Sequence, residues 1–200
     1  LAALLLVGLA FTSCTGGGSV QRGWSGGTLQ GDTLYLGSRD GRLIAVNIAA
    51  GSREWATPLE TGTTSSGLGC ARVPIVVTIY GTPAVSDNLV YIGGYNGKVY
   101  SFVPGESQPD RVLDKVRVAN RDVPIGQIVG SVAVEGGFVY FAAADGKVYG
   151  VNARLQPVWP EPFKTGGKIW STPTVQGGTV YVGSFDKKLY ALSAADGSKK

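Results

Sequence analysis

One short pattern occurs four times along this chain of 200 residues: TLYLGSRDGRLIAV, LVYIGGYNGKVYSF, FVYFAAADGKVYGV and TVYVGSFDKKLYAL. Aligned on Tyr35, Tyr91, Tyr140 and Tyr181, each copy places an acid or its amide five residues on, at Asp40, Asn96, Asp145 and Asp186. Glycine follows in the first three copies, at Gly41, Gly97 and Gly146, and Lys187 stands in its place in the fourth. Eleven residues before each tyrosine sits a large apolar residue: Trp24, Tyr80, Val129 and Trp170. Repetition in that detail means that one supersecondary unit is reused, and this restricts the fold before any other observation does.

The alternation within each copy has period two, the spacing of a half-buried strand. Asp-Gly or Asn-Gly supplies the positive φ angles of a tight hairpin turn, and a second alternating run such as Lys147 to Val151 follows it. A strand before the tyrosine is visible as TPAV from Thr82 and TPTV from Thr172, and Trp55 and Trp159 are expected to close a fourth strand in copies one and three. The tyrosines are spaced by 56, 49 and 41 residues. Units of about 40–45 residues with four strands are propeller blades. The expected fold is therefore all-β, a β-propeller of four-stranded antiparallel blades with about four blades in this chain. The longer spacings place insertions near residues 58–79 and 104–126, which read as surface loops.

The run STPTVQGGTVYVGSFDKKLYALSAADGSKK resembles the PQQ-type β-propeller repeat, with its Ser-Pro strand, VYVGS strand, DGKLYALDA strand and closing tryptophan strand. Residues 24–200 fit it throughout, with departures: copy two has Val112 or Leu113 where tryptophan is usual, and copy four has Lys187 for glycine. The resemblance implies seven or eight blades in a complete ring. The chain starts on Leu1 and stops one position before the tryptophan expected in copy four, so it reads as part of a longer propeller. The repeat is shared by quinoprotein dehydrogenases and by non-catalytic propellers, including BamB-like outer-membrane assembly lipoproteins, so the fold alone does not name a function.

Several chemistries are excluded by composition. The chain has no histidine and no methionine, which removes His-based triads, HExxH zinc sites and both common haem ligands. Its net charge of +4 is spread along the chain, and the basic stretch Arg111 to Arg121 is broken by Asp114 and Asp122, so it reads as a solvated strand and loop with no nucleic-acid partner. Asp40, Asp145 and Asp186 are tempting carboxylates, but each holds the same turn position in its own copy. Trp24, Trp55, Trp159 and Trp170, with Tyr35, Tyr91, Tyr140 and Tyr181, fall on repeat positions and are assigned to packing between blades rather than to a cofactor. No catalytic, cofactor-binding or metal residue is expected here. PQQ would need a site supplied by further blades.

Leu1 to Phe11 is an uncharged apolar run, too short to span a bilayer and of the length of a secretory signal core. Phe11, Thr12, Ser13 and Cys14 resemble a bacterial lipobox, with Phe11 where leucine is preferred. That resemblance implies cleavage before Cys14, lipidation of its thiol, and anchoring to a membrane by several acyl chains. The expected organisation is a lipoprotein signal over 1–13, a flexible tether over 14–22 and a partial propeller over 23–200. Cys70, the second cysteine, pairs with one beyond this sequence, is buried and unpaired, or is a reactive thiol. The expected role is an extracytoplasmic, lipid-anchored scaffold that binds proteins or peptides at blade edges and loops. The alternatives are a fragment of a PQQ-dependent dehydrogenase and a propeller that binds a sugar or cell-wall polymer.

Overall fold

The computed structural model describes residues 23–65 and 72–200. The first sheet runs β1 (Gly27–Gln30), β2 (Thr33–Gly37), β3 (Arg42–Asn47) and β4 (Ser52–Pro58), antiparallel and in chain order. A two-stranded hairpin follows, β5 (Thr63–Ser65) with β6 (Arg72–Pro74). The second sheet is β7 (Ala84–Ser86), β8 (Leu89–Gly94), β9 (Lys98–Phe102) and β10 (Arg111–Leu113). Another hairpin, β11 (Lys115–Val118) with β12 (Arg121–Pro124), precedes the third sheet. That sheet is β13 (Ala133–Glu135), β14 (Phe138–Ala142), β15 (Lys147–Asn152) and β16 (Phe163–Lys164). The fourth has β17 (Thr174–Gln176), β18 (Thr179–Ser184) and β19 (Lys188–Ser193). The chain is thus all-β and built of propeller blades, with β1, β7, β13 and β17 side by side at the inner edge. Among the described residues no helix is long and apolar enough to cross a membrane.

Among the described residues the fourth sheet has three strands. Two expectations need correction. The two insertions are not plain loops. Each carries a hairpin, and the second also contains β10, blade two's own outer strand. In KVRVANRDVP, Ala119 and Asn120 both have positive φ (47° and 62°), the geometry of a two-residue hairpin turn, and Val116 is turned inward while the charges face water. Finally, Trp55 does lie in β4, but Trp159 is outside any strand. Pro157, Pro160 and Pro162 surround it and have no N–H to give to a ladder.

Each interior sheet buries both faces, which is why a single blade has no core of its own. Tyr35, Leu43 and Ala45 of blade one pack on Val90, Ile92, Tyr100 and Phe102 of blade two. Tyr91 and Val99 pack on Val139, Phe141 and Tyr149 of blade three. Tyr140, Ala142 and Val148 pack on Val180, Val182 and Leu192 of blade four. A fully buried side chain of this size contributes about 1.5–3 kcal/mol, so the seams between blades hold the molecule together. Polar ties reinforce them. The Tyr91 hydroxyl donates to the Ala153 carbonyl at 3.1 Å, and the Tyr140 hydroxyl to that of Ala194 at 3.2 Å. Near the axis, the Thr82 N–H donates to Ser131 Oγ at 2.7 Å and the Ser131 N–H to Thr172 Oγ1 at 2.9 Å.

One seam carries a flaw. At the position after the second tyrosine of the repeat, blades one, three and four have Ala45, Gly150 and Ala191, but blade two has Ser101. Ser101 is wholly buried and its hydroxyl has no hydrogen-bond partner. An unmet buried hydroxyl costs about 1–3 kcal/mol. Ser101→Ala is expected to raise the unfolding free energy by about 1 kcal/mol, read as a higher urea midpoint at unchanged slope. A lower midpoint would mean that the hydroxyl is satisfied after all.

Candidate functional site

The turns between the second and third strands of all four blades lie at one end of the molecule, brought there by the repeat. Gly41, Gly97 and Gly146 have φ of 74°, 76° and 80°, a region closed to most side chains. Space is short as well. A β-carbon on Gly146 would stand 2.6 Å from the Gly167 carbonyl oxygen, and one on Gly41 would stand 2.9 Å from that of Val77. In both cases the crowding comes from the chain as it enters the next blade. Lys187 adopts the same conformation, at φ 68°.

The turn acids have a second task that the repeat spacing alone did not reveal. Asp145 accepts the Tyr149 hydroxyl at 2.9 Å and the Lys147 N–H at 3.1 Å. Asp186 accepts the Tyr190 hydroxyl at 2.5 Å, the Gly166 N–H at 2.8 Å and the Lys188 N–H at 3.1 Å. In blade two the acid comes from outside the turn. Glu60 Oε1 takes the Tyr100 hydroxyl at 2.9 Å, Asn96 Nδ2 at 3.0 Å and Lys98 Nζ at 2.5 Å. Asn96 Nδ2 also donates to the Tyr100 oxygen at 2.7 Å. Blade one has Ile44 where the tyrosine would be, and Asp40 instead takes the Ser38 hydroxyl and, at 2.9 Å, Arg42 Nε. The signal for Tyr100, Tyr149 and Tyr190 was present as a second tyrosine four residues after each turn acid or amide.

These contacts fix protonation. Burial, and then the neighbouring Asp145 or Glu60, pushes the Tyr149 and Tyr100 hydroxyls far above the ordinary tyrosine range, so both stay protonated. The Tyr190 hydroxyl holds Asp186 below the usual carboxylate range, helped by the two backbone N–H groups. The Ser38 hydroxyl, with Arg42, does the same for Asp40. For Glu60 burial acts upward, but Lys98, Tyr100 and Asn96 together outweigh it and its carboxyl is lowered. These acids are ionised acceptors locked to donors, an arrangement that holds turns in place.

What this end offers to solvent is aromatic. Trp24 meets Tyr80 edge to face at 5.0 Å, and Tyr80 meets Tyr95 at 5.4 Å, forming a row across blades one and two. Trp170 meets Phe185 at 5.0 Å on blade four. Trp24, Trp170 and Phe185 are 75%, 52% and 61% exposed. Trp24 and Trp170 are thus largely exposed among the described residues, although Trp24 also touches Tyr80 at the entry to blade two. The other two tryptophans are placed differently. Trp159 is buried at the seam of blades three and four, its ring against Gly150 and Gly197 and its Nε1 on the Ala194 carbonyl at 2.9 Å. Trp55 leans on Tyr35 within blade one at 6.1 Å. Tyr35, Tyr91 and Tyr140 are buried, whereas Tyr181 is 41% exposed. Cys14, the signal and tether expected over residues 1–22, and Cys70 lie outside the described residues.

Comparison with known proteins agrees with this architecture. A search of curated proteins found no match. Among solved structures, the computationally designed Ika8 protein superposes with a TM-score of 0.59 at 16% identity, over 88% of this chain and 47% of its own. The designed Ika4 protein gives 0.57 at 16% identity, over 88% of this chain and 95% of its own. BamB from Moraxella catarrhalis gives 0.50 at 19% identity, over 88% of this chain and 59% of its own. The chain therefore spans about half of Ika8 and under two thirds of that BamB. A family model matches twice, over residues 16–155 and 126–200, overlapping across blade three as a repeat allows. On that match the chain belongs to the PQQ-type propeller family described as outer membrane protein assembly factor BamB.

Proposed function

We propose that this chain is a non-enzymatic, extracytoplasmic propeller, anchored to a membrane through lipidated Cys14, that serves as a protein-interaction scaffold in the cell envelope. The observation that carries the reading is the turn end of the blades. Its acids are held by tyrosine, serine or backbone donors, while Trp24, Trp170 and Phe185 face water. Large exposed aromatics are the composition of binding hot spots. The family description, outer membrane protein assembly, is the kind of envelope task such a surface serves.

The test has two arms. A photo-crosslinking residue is placed at Trp24, Phe185 or, as a control, the outer-edge position Ser52, in the full-length protein in its host membrane. Crosslinks to a discrete protein from the turn end and not from Ser52 are the expected result. In parallel, purified protein is given PQQ, calcium and a panel of alcohols and aldoses. Stoichiometric quinone binding with substrate-dependent dye reduction would overturn the reading in favour of a dehydrogenase. Mass spectrometry of membrane-extracted protein checks the anchor, and an unmodified Cys14 would remove it.

A further inference from the structure

Asn96 and Gly97 are the one Asn-Gly pair in the sequence; Asn47, Asn88, Asn120 and Asn152 precede Ile48, Leu89, Arg121 and Ala153. Of all pairs that begin with asparagine, this one is the most open to a spontaneous reaction of the chain with itself. Glycine has no β-carbon to hinder the approach of its own nitrogen to the preceding carboxamide. The pair lies on blade two, which packs on blade one on one side and on blade three on the other. Asn96 is exposed at the turn, so water reaches it.

The fold ties both reacting groups to other partners. The Asn96 carboxamide nitrogen donates to Glu60 Oε1 at 3.0 Å and to the Tyr100 oxygen at 2.7 Å. The Gly97 N–H, whose nitrogen would attack, donates to the Gly94 carbonyl at 3.1 Å. Closing a ring between them requires the carboxamide to swing onto its own main chain, which breaks both side-chain bonds and opens the turn. Glu60 anchors the arrangement, because the same oxygen also takes the Tyr100 hydroxyl at 2.9 Å and Lys98 Nζ at 2.5 Å. Hydrogen bonds to an ionised carboxylate are the stronger kind. In blades three and four the turn residue is itself the acid, and Asp145 or Asp186 takes the tyrosine hydroxyl directly. Blade two, with an amide in the turn, borrows its acid from the chain leaving blade one.

We propose that Asn96 is a self-modification site, deamidating through a succinimide, and that Glu60 is the latch that restrains it. The Gly97 nitrogen gives up its proton and bonds to Asn96 Cγ; the Cγ–Nδ2 bond breaks, and the amide nitrogen leaves with that proton as ammonia. Water, the one co-reactant, then adds to either ring carbonyl. Opening on the Cγ side leaves an aspartyl residue, and opening on the main-chain side leaves isoaspartate, with the chain rerouted through the side chain. Either product carries one carboxylate more than the native chain. The aspartyl product supplies blade two with an acid of its own for Tyr100, as in blades three and four. It also sets a second negative charge against Glu60, which is driven off the turn. One covalent change thus completes the tyrosine–acid pair of the repeat and releases the exit of blade one from blade two. This inference is independent of the scaffold reading.

The test follows the reaction in the full chain, folded in buffer and unfolded in guanidinium at the same pH. The proteolytic peptide holding Asn96 is watched by mass spectrometry for amide-to-acid conversion, and chromatography separates its aspartyl and isoaspartyl forms. In guanidinium Asn96 is expected to convert ahead of the other four asparagines. Folding is expected to slow it at least about tenfold, because the reaction then waits for local opening. Glu60→Gln keeps the shape of the latch and removes its charge. It is expected to speed the reaction of the folded chain about three- to tenfold and to leave the rate in guanidinium unchanged, which separates the latch from the chemistry. A second readout does not depend on rates. Asn96→Asp stands for the aspartyl product, and in that background Glu60→Ala is expected to lose most of the stability effect it has in the native chain. Conversion of another asparagine ahead of Asn96 overturns the site. A folded chain that reacts as fast as the unfolded one, or no faster with Glu60→Gln, overturns the latch. An undiminished effect of Glu60→Ala beside Asn96→Asp overturns the release of Glu60.

Discussion

Gly97→Ala is expected to lower the unfolding free energy by about 3–4 kcal/mol, among the largest losses available to a single added methyl in this molecule. Two effects coincide there. The residue has φ 76°, where an L-side chain costs about 1–2 kcal/mol. The new β-carbon would also overlap the Ile125 carbonyl oxygen, part of the chain entering blade three, and backbone is poorly able to move away. Overpacking of that kind adds about 1–3 kcal/mol. Gly31 provides the control: its φ is 57° and a β-carbon there meets nothing within 4 Å, so Gly31→Ala should show the conformational part alone, about 1 kcal/mol. Urea unfolding of the two variants side by side separates the contributions. Equal losses would show that the approach of blade three to this turn is looser than described.

The second large effect belongs to Glu60. Its Oε1 gathers the hydroxyl of Tyr100, the amide of Asn96 and the ammonium of Lys98. Tyr100 is 1% exposed, so in Glu60→Ala its O–H is left in the seam with no carboxylate, and Lys98 loses its counter-charge. Removing one side of such a group costs about 2–4 kcal/mol. Glu60→Gln keeps the shape and isolates the charge. Because the folded carboxyl lies below its ordinary value, the charge stabilises the fold fully at pH above about 4.3, the value in an unfolded chain. That contribution fades as pH falls through the lower folded value. The stability gap between the native chain and Glu60→Gln should hold from neutral pH to about pH 5 and narrow in stronger acid. A gap that widens on acidification would show that the carboxyl is raised on folding.

These two predictions mark where sequence and structure diverge. The turn glycines, the anchor tyrosines and the order of strands within a blade are local. They repeat at fixed offsets, and period-two alternation with Asp-Gly exposes them directly. Glu60 was not visible because it lies 36 residues before Asn96, in the previous blade's exit, and no offset within one copy points to it. The inserted hairpins were hidden by composition: charge and proline over 104–126 read as loop, although Val116, Val118 and Val123 alternate across the Ala119–Asn120 turn. Trp24 and Trp159 illustrate the remaining difficulty. Both sit on repeat positions, but one lies at the open turn end and the other is pinned between Gly150 and Gly197. Recurrence places a residue within the unit and is silent about what the neighbouring unit brings to it.

The forward ties of the anchor tyrosines have a consequence for how such a molecule changes over generations. Tyr91 and Tyr140 each reach into the following blade, and each lands on a main-chain oxygen, of Ala153 and of Ala194. A peptide carbonyl is present whatever side chain the position encodes. The donor therefore imposes no letter on its recipient, and each unit carries its own half of the joint. Copies can drift apart, be duplicated, or be exchanged for a cousin, and the link re-forms wherever the backbone path is kept. A tie that depended on a matched pair of side chains would require both copies to change in step. This one lets them diverge separately, which is how four stretches of one chain can differ at most positions and still stack as neighbours.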